Sequence, residues 1–254
     1  MYDSSTPPVL GHRRPAFPRV IGFDLARTAA LAAMIAYHTV FDLEMFGYLA
    51  PGAATTGGWR FLALCTAGSF LFLAGVSLGL AHANGVRWRA FWRGIVRIAG
   101  AAGLVTIVTY IAVPHAFIFF GILHAIVAAR FVGIVLWRMP DWVLWGVAIF
   151  VVWASFAVRP TVFTTPALWW VGLHEIPIQA MDYVPIFPWL GPFLIGVAVA
   201  RTGARIGVWD TRARGYPSFW VRLMSWPGRH SLAIYLIHQP ILIGIIWGVT
   251  VLMP

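Results

Sequence analysis

The chain has 254 residues, 60% hydrophobic and 10% charged, with a mean hydropathy of +0.81. Soluble domains carry about 25% charged residues, so a water-soluble fold of this composition would expose apolar surface that aggregates; a soluble enzyme is excluded. The formal net charge of +10 comes from 18 arginines and no lysine against 8 acidic residues. These arginines cluster between apolar runs, which is a mark of membrane topology and not of a nucleic-acid surface.

Segment 1–19 is polar, carries Arg13, Arg14 and Arg19, and reads as a cytoplasmic tail ahead of a single transmembrane domain over 20–254. The apolar run that follows reaches about Val40 and contains charges, too long and too polar for a signal-peptide core, so it reads as a retained first helix. Crossing a hydrocarbon core of about 30 Å takes about 20 mostly apolar helical residues. Seven stretches meet this: Val20–Glu44, Trp59–His82, Phe91–Val113, Ala116–Val135, Trp142–Val158, Ile186–Ala200 and Ser231–Leu252. The fold class expected is all-α, a polytopic transmembrane bundle of about seven helices. The fifth and sixth stretches are short and would thin the bilayer or extend into its interface. Between them, Val162–Ala180 contains Pro166, His174, Glu175 and Pro177 and reads as a re-entrant or interfacial element.

With seven spans, fifteen arginines fall on one side, only Arg60 and Arg159 on the other, and Arg27 inside the first span. Positive charge stays in the cytoplasm, so the N-terminus is expected there and the C-terminus outside. Tryptophans such as Trp59, Trp88 and Trp142 fall where aromatic belts fix helix depth. Cys65, alone of its kind, can form no intrachain disulfide.

Ionisable groups within a span cost about 2.5–3.5 kcal/mol at its centre on insertion scales, so each needs a reason. Asp24 and Arg27, three apart on one face near the cytoplasmic end, fit either a structural ion pair or a substrate or cofactor contact. His38 and Asp42, four apart toward the outer end, fit a general base whose tautomer and basicity a carboxylate sets. They equally fit a structural pair, or a metal or haem site. His124, read as eight residues inside the outer end of the fourth span, and His174, Glu175, Asp182 and Tyr183 of the outer loop enlarge that set. Nearer the cytoplasm lie Asp24, Arg27, His230, Ser231, His238 and Gln239. Two stacked polar sets would bring a cytoplasmic donor to an external acceptor; a packed bundle with polar specificity pairs would look similar.

Five segments carry a family resemblance: Val20-Ile-Gly-Phe-Asp24-Leu-Ala-Arg27 with Met34-Ile-Ala-Tyr-His38 and Phe41-Asp42-Leu43; Phe70-Leu-Phe-Leu-Ala-Gly75; Phe119-Phe-Gly121-Ile-Leu-His124; Asp182-Tyr-Val-Pro185-Ile-Phe-Pro188-Trp189-Leu-Gly191; and Gly228-Arg-His-Ser231-Leu-Ala-Ile-Tyr235-Leu-Ile-His238-Gln-Pro240. Together they resemble prokaryotic membrane proteins related to heparan-alpha-glucosaminide N-acetyltransferase. The resemblance implies a protein of the bacterial cytoplasmic (inner) membrane that takes an acetyl group from acetyl-CoA, or another acyl-CoA, and gives it to an amino sugar or glycan. The animal enzyme of this group uses a histidine after its first helix; Gly47–Gly58 holds no histidine, His38 stands where that enzyme has asparagine, and Thr28 replaces the usual glycine after the arginine.

On that resemblance the expected catalytic residues are His38, Asp42, His124 and Asp182, with His38 as base oriented by Asp42 and with His124 or Tyr183 donating to the oxyanion. Asp24, Arg27, Ser231 and His238 are expected at the acyl-CoA, where arginine's planar fork suits phosphate. The alternative is a redox module with haem b on His38, His124 or His238; the chain has no Cys-x-x-Cys-His, which excludes c-type attachment. Metal on His38, Asp42 and His124 is a lesser reading, and none is assigned. A transporter or non-catalytic partner is the third reading. Membrane lipid is an expected partner, nucleic acid is not, and homo-oligomers are compatible with the sequence.

Overall fold

A computed structural model describes residues 20–176, 178–209 and 217–252. The expected cytoplasmic tail 1–19, Pro177, and the loop 210–216 with Arg212 and Arg214 lie outside the described residues, as do 253–254.

Eight α-helices are described: α1 (Ile21–Met45), α2 (Gly57–His82), α3 (Trp88–Ala112), α4 (Ile122–Val135), α5 (Asp141–Ala157), α6 (Ile186–Arg205), α7 (Phe219–Arg229) and α8 (Ser231–Leu252). Prolines set many of the boundaries. Pro114 follows the end of α3, Pro140 and Pro185 stand immediately before α5 and α6, and Pro160 lies just past α5, consistent with a residue that donates no N–H and fixes φ. The α1–α2 loop is folded by Glu44, whose carboxylate accepts the Gly52 N–H at 2.6 Å and the Ala54 N–H at 2.8 Å.

The all-helical bundle matches the sequence expectation, and its eight described helices are compatible with about seven spans. Helices α2, α3, α6 and α8 are long and apolar enough to cross a membrane, and α5 is a shorter apolar helix of 17 residues. Helix α1 has the length, 25 residues, but carries Asp24, Arg27, Asp42 and Glu44. Two expectations are corrected. The fourth stretch, expected from Ala116, becomes helical only at Ile122, because Pro114 and Gly121 bracket a short 3₁₀ turn and an extended segment that apolar counting cannot tell from helix. His124 therefore lies in the first turn of α4 and not eight residues inside it. The loop preceding Ser231 contains α7, an amphipathic helix capped by Ser218, whose Oγ accepts the Val221 N–H at 3.4 Å. Val162–Ala180 forms 3₁₀ turns over Thr161–Thr164 and Pro166–Val171 and an irregular remainder.

Helices α2 and α6 pack along their length. A Cβ on Gly75 would overlap the Phe193 carbonyl, and one on Gly196 the Phe72 carbonyl, so paired glycines let the two backbones touch. Around this seam Leu71, Leu78, Leu144, Phe193 and Val197 form the buried core. Helix α1 packs on α2, α7 and α8, and α3 packs on α4. Outward-facing Ile107, Ile111, Trp142, Ile149 and Phe156 are exposed, as lipid-facing surfaces are.

One end of the bundle gathers the arginines. There Arg201 and Arg205 both pair with Asp141 at the start of α5, and the Arg201 guanidinium donates to the carbonyls of Trp137 and Met139. Asp24, Arg27, Arg229 and the start of α8 share this arginine-rich end. The α1–α2 loop and the stretch 161–185 lie at the opposite end.

Candidate active site at the junction of two cavities

Two cavities enter the bundle, one from each end. The cavity at the arginine-rich end, about 460 Å³, is lined by Arg27, Arg97, Arg130 and Arg229 together with Ser77 and Ser231. The opposite cavity, about 730 Å³, is lined by Tyr37, His38, Arg60, Asp182, Tyr183 and Trp189 among apolar residues. Phe70, Ile122 and Tyr235 line both. They are a thin partition at mid-bundle, with charged guanidiniums on one side and an imidazole and a carboxyl on the other.

At the arginine-rich side, Arg27 pairs with Asp24 at 2.8 Å and donates to Ser77 Oγ at 2.6 Å. Arg229 also faces Asp24, at 3.7 Å. Neither Arg97 nor Arg130 forms an ion pair among the described residues, and the Arg130 guanidinium lies over the Phe91 ring at 5.9 Å. Arg27 and Arg229 thus share the Asp24 carboxylate while Arg97 and Arg130 line the cavity without an ion pair among the described residues, leaving a cation-rich pocket. Thr28 has a structural part: its Oγ1 donates to the Asp24 and Met224 carbonyls and accepts the Gly228 N–H at 2.9 Å, binding α7 to α1.

Across the partition, Asp182 Oδ2 accepts the Ile122 N–H at 3.0 Å and the Tyr235 hydroxyl at 3.4 Å. Gly121 is needed for this approach, since a Cβ there would overlap the Asp182 carboxylate. Burial pushes the Asp182 carboxyl above its ordinary range, opposed by the Ile122 N–H and the Tyr235 hydroxyl. Tyr183 donates to the Trp169 carbonyl at 2.6 Å and accepts from His174 Nε2 at 2.6 Å, and burial raises its phenol as well. These bonds tie the stretch 169–183 down as the outer wall.

His38 and His238 meet with ring centroids 5.0 Å apart and planes at 60°. The His38–Asp42 pairing expected from i,i+4 spacing is not the one made. Asp42, fully buried, accepts from Gln239 Nε2 at 2.6 Å, and its Oδ2 and His38 Nδ1 have no partner among the described residues. His238 Nδ1 contacts the Tyr235 carbonyl at 2.5 Å, and its Nε2 is likewise unpartnered there. His238, expected beside the donor, instead joins His38 on the opposite side of the partition.

His124 stands apart. Its Nδ1 accepts the Gly121 N–H at 3.3 Å, which leaves Nε2–H to donate to Thr106 Oγ1 at 3.3 Å. The Thr106 hydroxyl in turn donates to the Ile118 carbonyl at 2.7 Å. Both ring nitrogens are thus engaged in holding α3 to the start of α4. Nothing in the sequence marks Tyr235 as a separating residue, and by charge alone Arg97 and Arg130 look like topology residues. Their positions inside α3 and α4 were the available signal. Among the described residues no group of three His, Cys, Asp or Glu side chains is arranged to hold a metal ion.

The fold and its cavities define a helical membrane bundle with guanidiniums lining one cavity and an imidazole and a carboxyl lining the other. A family model described as heparan-alpha-glucosaminide N-acetyltransferase, catalytic, matches residues 19–240, and the chain belongs to that family of transmembrane acetyltransferases. No match is found among curated proteins or among solved structures.

Proposed function

We propose that this protein transfers an acetyl group from acetyl-CoA, bound at the arginine-rich end, to the amine of an amino sugar or glycan reaching the partition from the other end. The single observation carrying this reading is the pair of cavities that share Phe70, Ile122 and Tyr235 as their common wall. Arg27, Arg97, Arg130 and Arg229 suit the donor's phosphates, since a guanidinium fork binds them bidentately. The arginine-rich end is then cytoplasmic, as the charge asymmetry argues, in a bacterial inner membrane.

The acceptor nitrogen forms a bond to the thioester carbon while the carbon–sulfur bond breaks; the amine proton passes to His38, and the leaving thiolate takes a proton as CoA–SH. His38 suits the base because its imidazole lines the acceptor cavity. His238 supports it edge-on, and Asp42 acts through α8 and not directly on the imidazole. The Tyr235 hydroxyl, which bonds Asp182 Oδ2 at 3.4 Å, swings its proton from that carboxyl to the carbonyl oxygen as charge develops there. His124 serves to shape the start of α4. Ser231 and Asp24 support the donor pocket.

Haem b fits these histidines less well. His38 and His238 are too close for a porphyrin to stand between them, and both nitrogens of His124 are engaged.

The test is acetyl transfer from acetyl-labelled acetyl-CoA to glucosamine and glucosamine-ended oligosaccharides by the purified protein in proteoliposomes, beside His38→Ala. Labelled N-acetyl product that depends on His38 is the expected result. Folded protein that releases no CoA thiol with any of these acceptors overturns the reading.

A further inference from the structure

A third cavity, about 420 Å³, opens between α3 and α8 in the half of the bundle away from the arginines. Its stem is apolar: Leu104, Val108 and Ala112 recur at four-residue spacing on α3 and face Leu236 and Ile243 on α8. Leu104 and Val108 are about half exposed, so the stem opens on the lipid-facing surface. Toward the arginine-rich end the gap is closed, where Ala101, Ala102 and Leu123 pack with Leu232 and Leu236.

The inner end of the stem is polar, and it is the acceptor site. His38, Phe41, Met181, Asp182 and Tyr235 line this cavity and the 730 Å³ acceptor cavity alike. His238 and Gln239 line its inner end as well. That inner end presents two imidazoles, a carboxyl, a phenol and an amide, from His38, His238, Asp182, Tyr235 and Gln239. A bilayer acyl chain would fill the stem and leave these polar side chains facing hydrocarbon; a free sugar would meet them and leave the stem unused. One molecule meets both demands: a polar head joined to a hydrocarbon chain.

We propose that the acceptor is membrane-anchored: a glycolipid whose amino-sugar head sits at His38 and Asp182 while its single hydrocarbon chain leaves between α3 and α8 into the bilayer. This rests on the acetyltransferase reading for the head's identity as acceptor. The chain's exit is in the acceptor half, beyond the partition from the arginines, which is why it is assigned to the acceptor and not to a long-chain acyl donor.

The probe is dodecyl 2-amino-2-deoxyglucoside carrying a diazirine in its chain, irradiated with the full-length protein in lipid nanodiscs and mapped by mass spectrometry. The proposal expects saturable adducts on Val108, Leu236 and Ile243 that unlabelled dodecyl glucosaminide displaces and palmitoyl-CoA does not. Val108→Trp, which fills the stem, lowers the adducts on Leu236 and Ile243 about tenfold while adducts at the lipid-facing Ile107 and Ile111 persist. Adducts spread over Ile107 and Ile111 without saturation would mean bulk lipid only and overturn the proposal. Displacement by palmitoyl-CoA would give the stem to the donor's chain and overturn it equally. Because the readout is binding, a protein that labels as expected yet transfers no acetyl group would defeat the enzymatic reading and leave the amphiphile site standing.

Discussion

His38 on α1 and His238 on α8 meet edge to face with ring centroids 5.0 Å apart, and this contact joins two helices 200 positions apart in the chain at the wall of the acceptor cavity. His38 lines that cavity with His238 against its ring, and in the proposed transfer it is His38 that takes the acceptor's proton. A general base contributes about 10²–10⁴-fold to rate. His38→Ala is therefore expected to lower acetyl transfer at least about 100-fold with an unchanged circular-dichroism melt; near-normal turnover in a folded variant would contradict the assignment.

Gln239 bonds to the fully buried Asp42 carboxylate at 2.6 Å. Removing a partner from a buried charge costs about 1–3 kcal/mol or more. Gln239→Leu should lower the detergent-solubilised Tm by several degrees, and Gln239→Glu, which sets a second carboxylate against Asp42, by more at neutral pH than at acid pH. Equal melting of all three proteins would show that the bond contributes nothing.

Asp182 titrates above its ordinary range because it is buried. A raised native pKa means that the proton stabilises the fold at low pH, and this contribution is lost as pH rises through the native value. Asp182→Asn cannot titrate. Above about pH 4, the ordinary carboxyl value, the wild-type Tm should fall relative to that of the Asn variant as pH rises. Parallel Tm profiles would contradict the raised value.

Arg97 and Arg130 line the donor cavity, and neither makes an ion pair among the described residues. A hydrogen bond to a charged group is worth about 1.5–3 kcal/mol. Arg97→Gln and Arg130→Gln should each raise KM for acetyl-CoA about tenfold or more and leave KM for the amino sugar unchanged. A change confined to the acceptor KM would reverse the assignment of the two cavities.

The helices were legible in the sequence where apolar runs were long, as in α2, α3 and α8. Phe117–Gly121 was read as helix because an extended apolar segment and a buried helix look alike without a period. Helix α7 was missed because its apolar residues Trp220, Leu223 and Met224 are interspersed with Arg222 and Arg229, so the segment read as a charged loop. At the site, i,i+4 spacing brought His38 and Asp42 to one face of α1, yet what a side chain bonds is decided by the neighbouring helix. Gln239 took Asp42, His238 took His38, and no spacing within α1 could have announced either. Arg97 and Arg130 carried the opposite difficulty: charge near a span's end serves topology and phosphate equally, and only the cavity separates the two uses.

The central claim is transfer across the bundle, and a sided assay tests it most directly. Proteoliposomes are loaded with glucosamine and given acetyl-labelled acetyl-CoA outside, and the molecules oriented with the arginine-rich end outward are scored separately by a membrane-impermeant maleimide on Arg138→Cys in a Cys65→Ser background. The account predicts labelled N-acetylglucosamine inside the vesicles in proportion to those molecules. Product formed only when donor and acceptor share one compartment would contradict it.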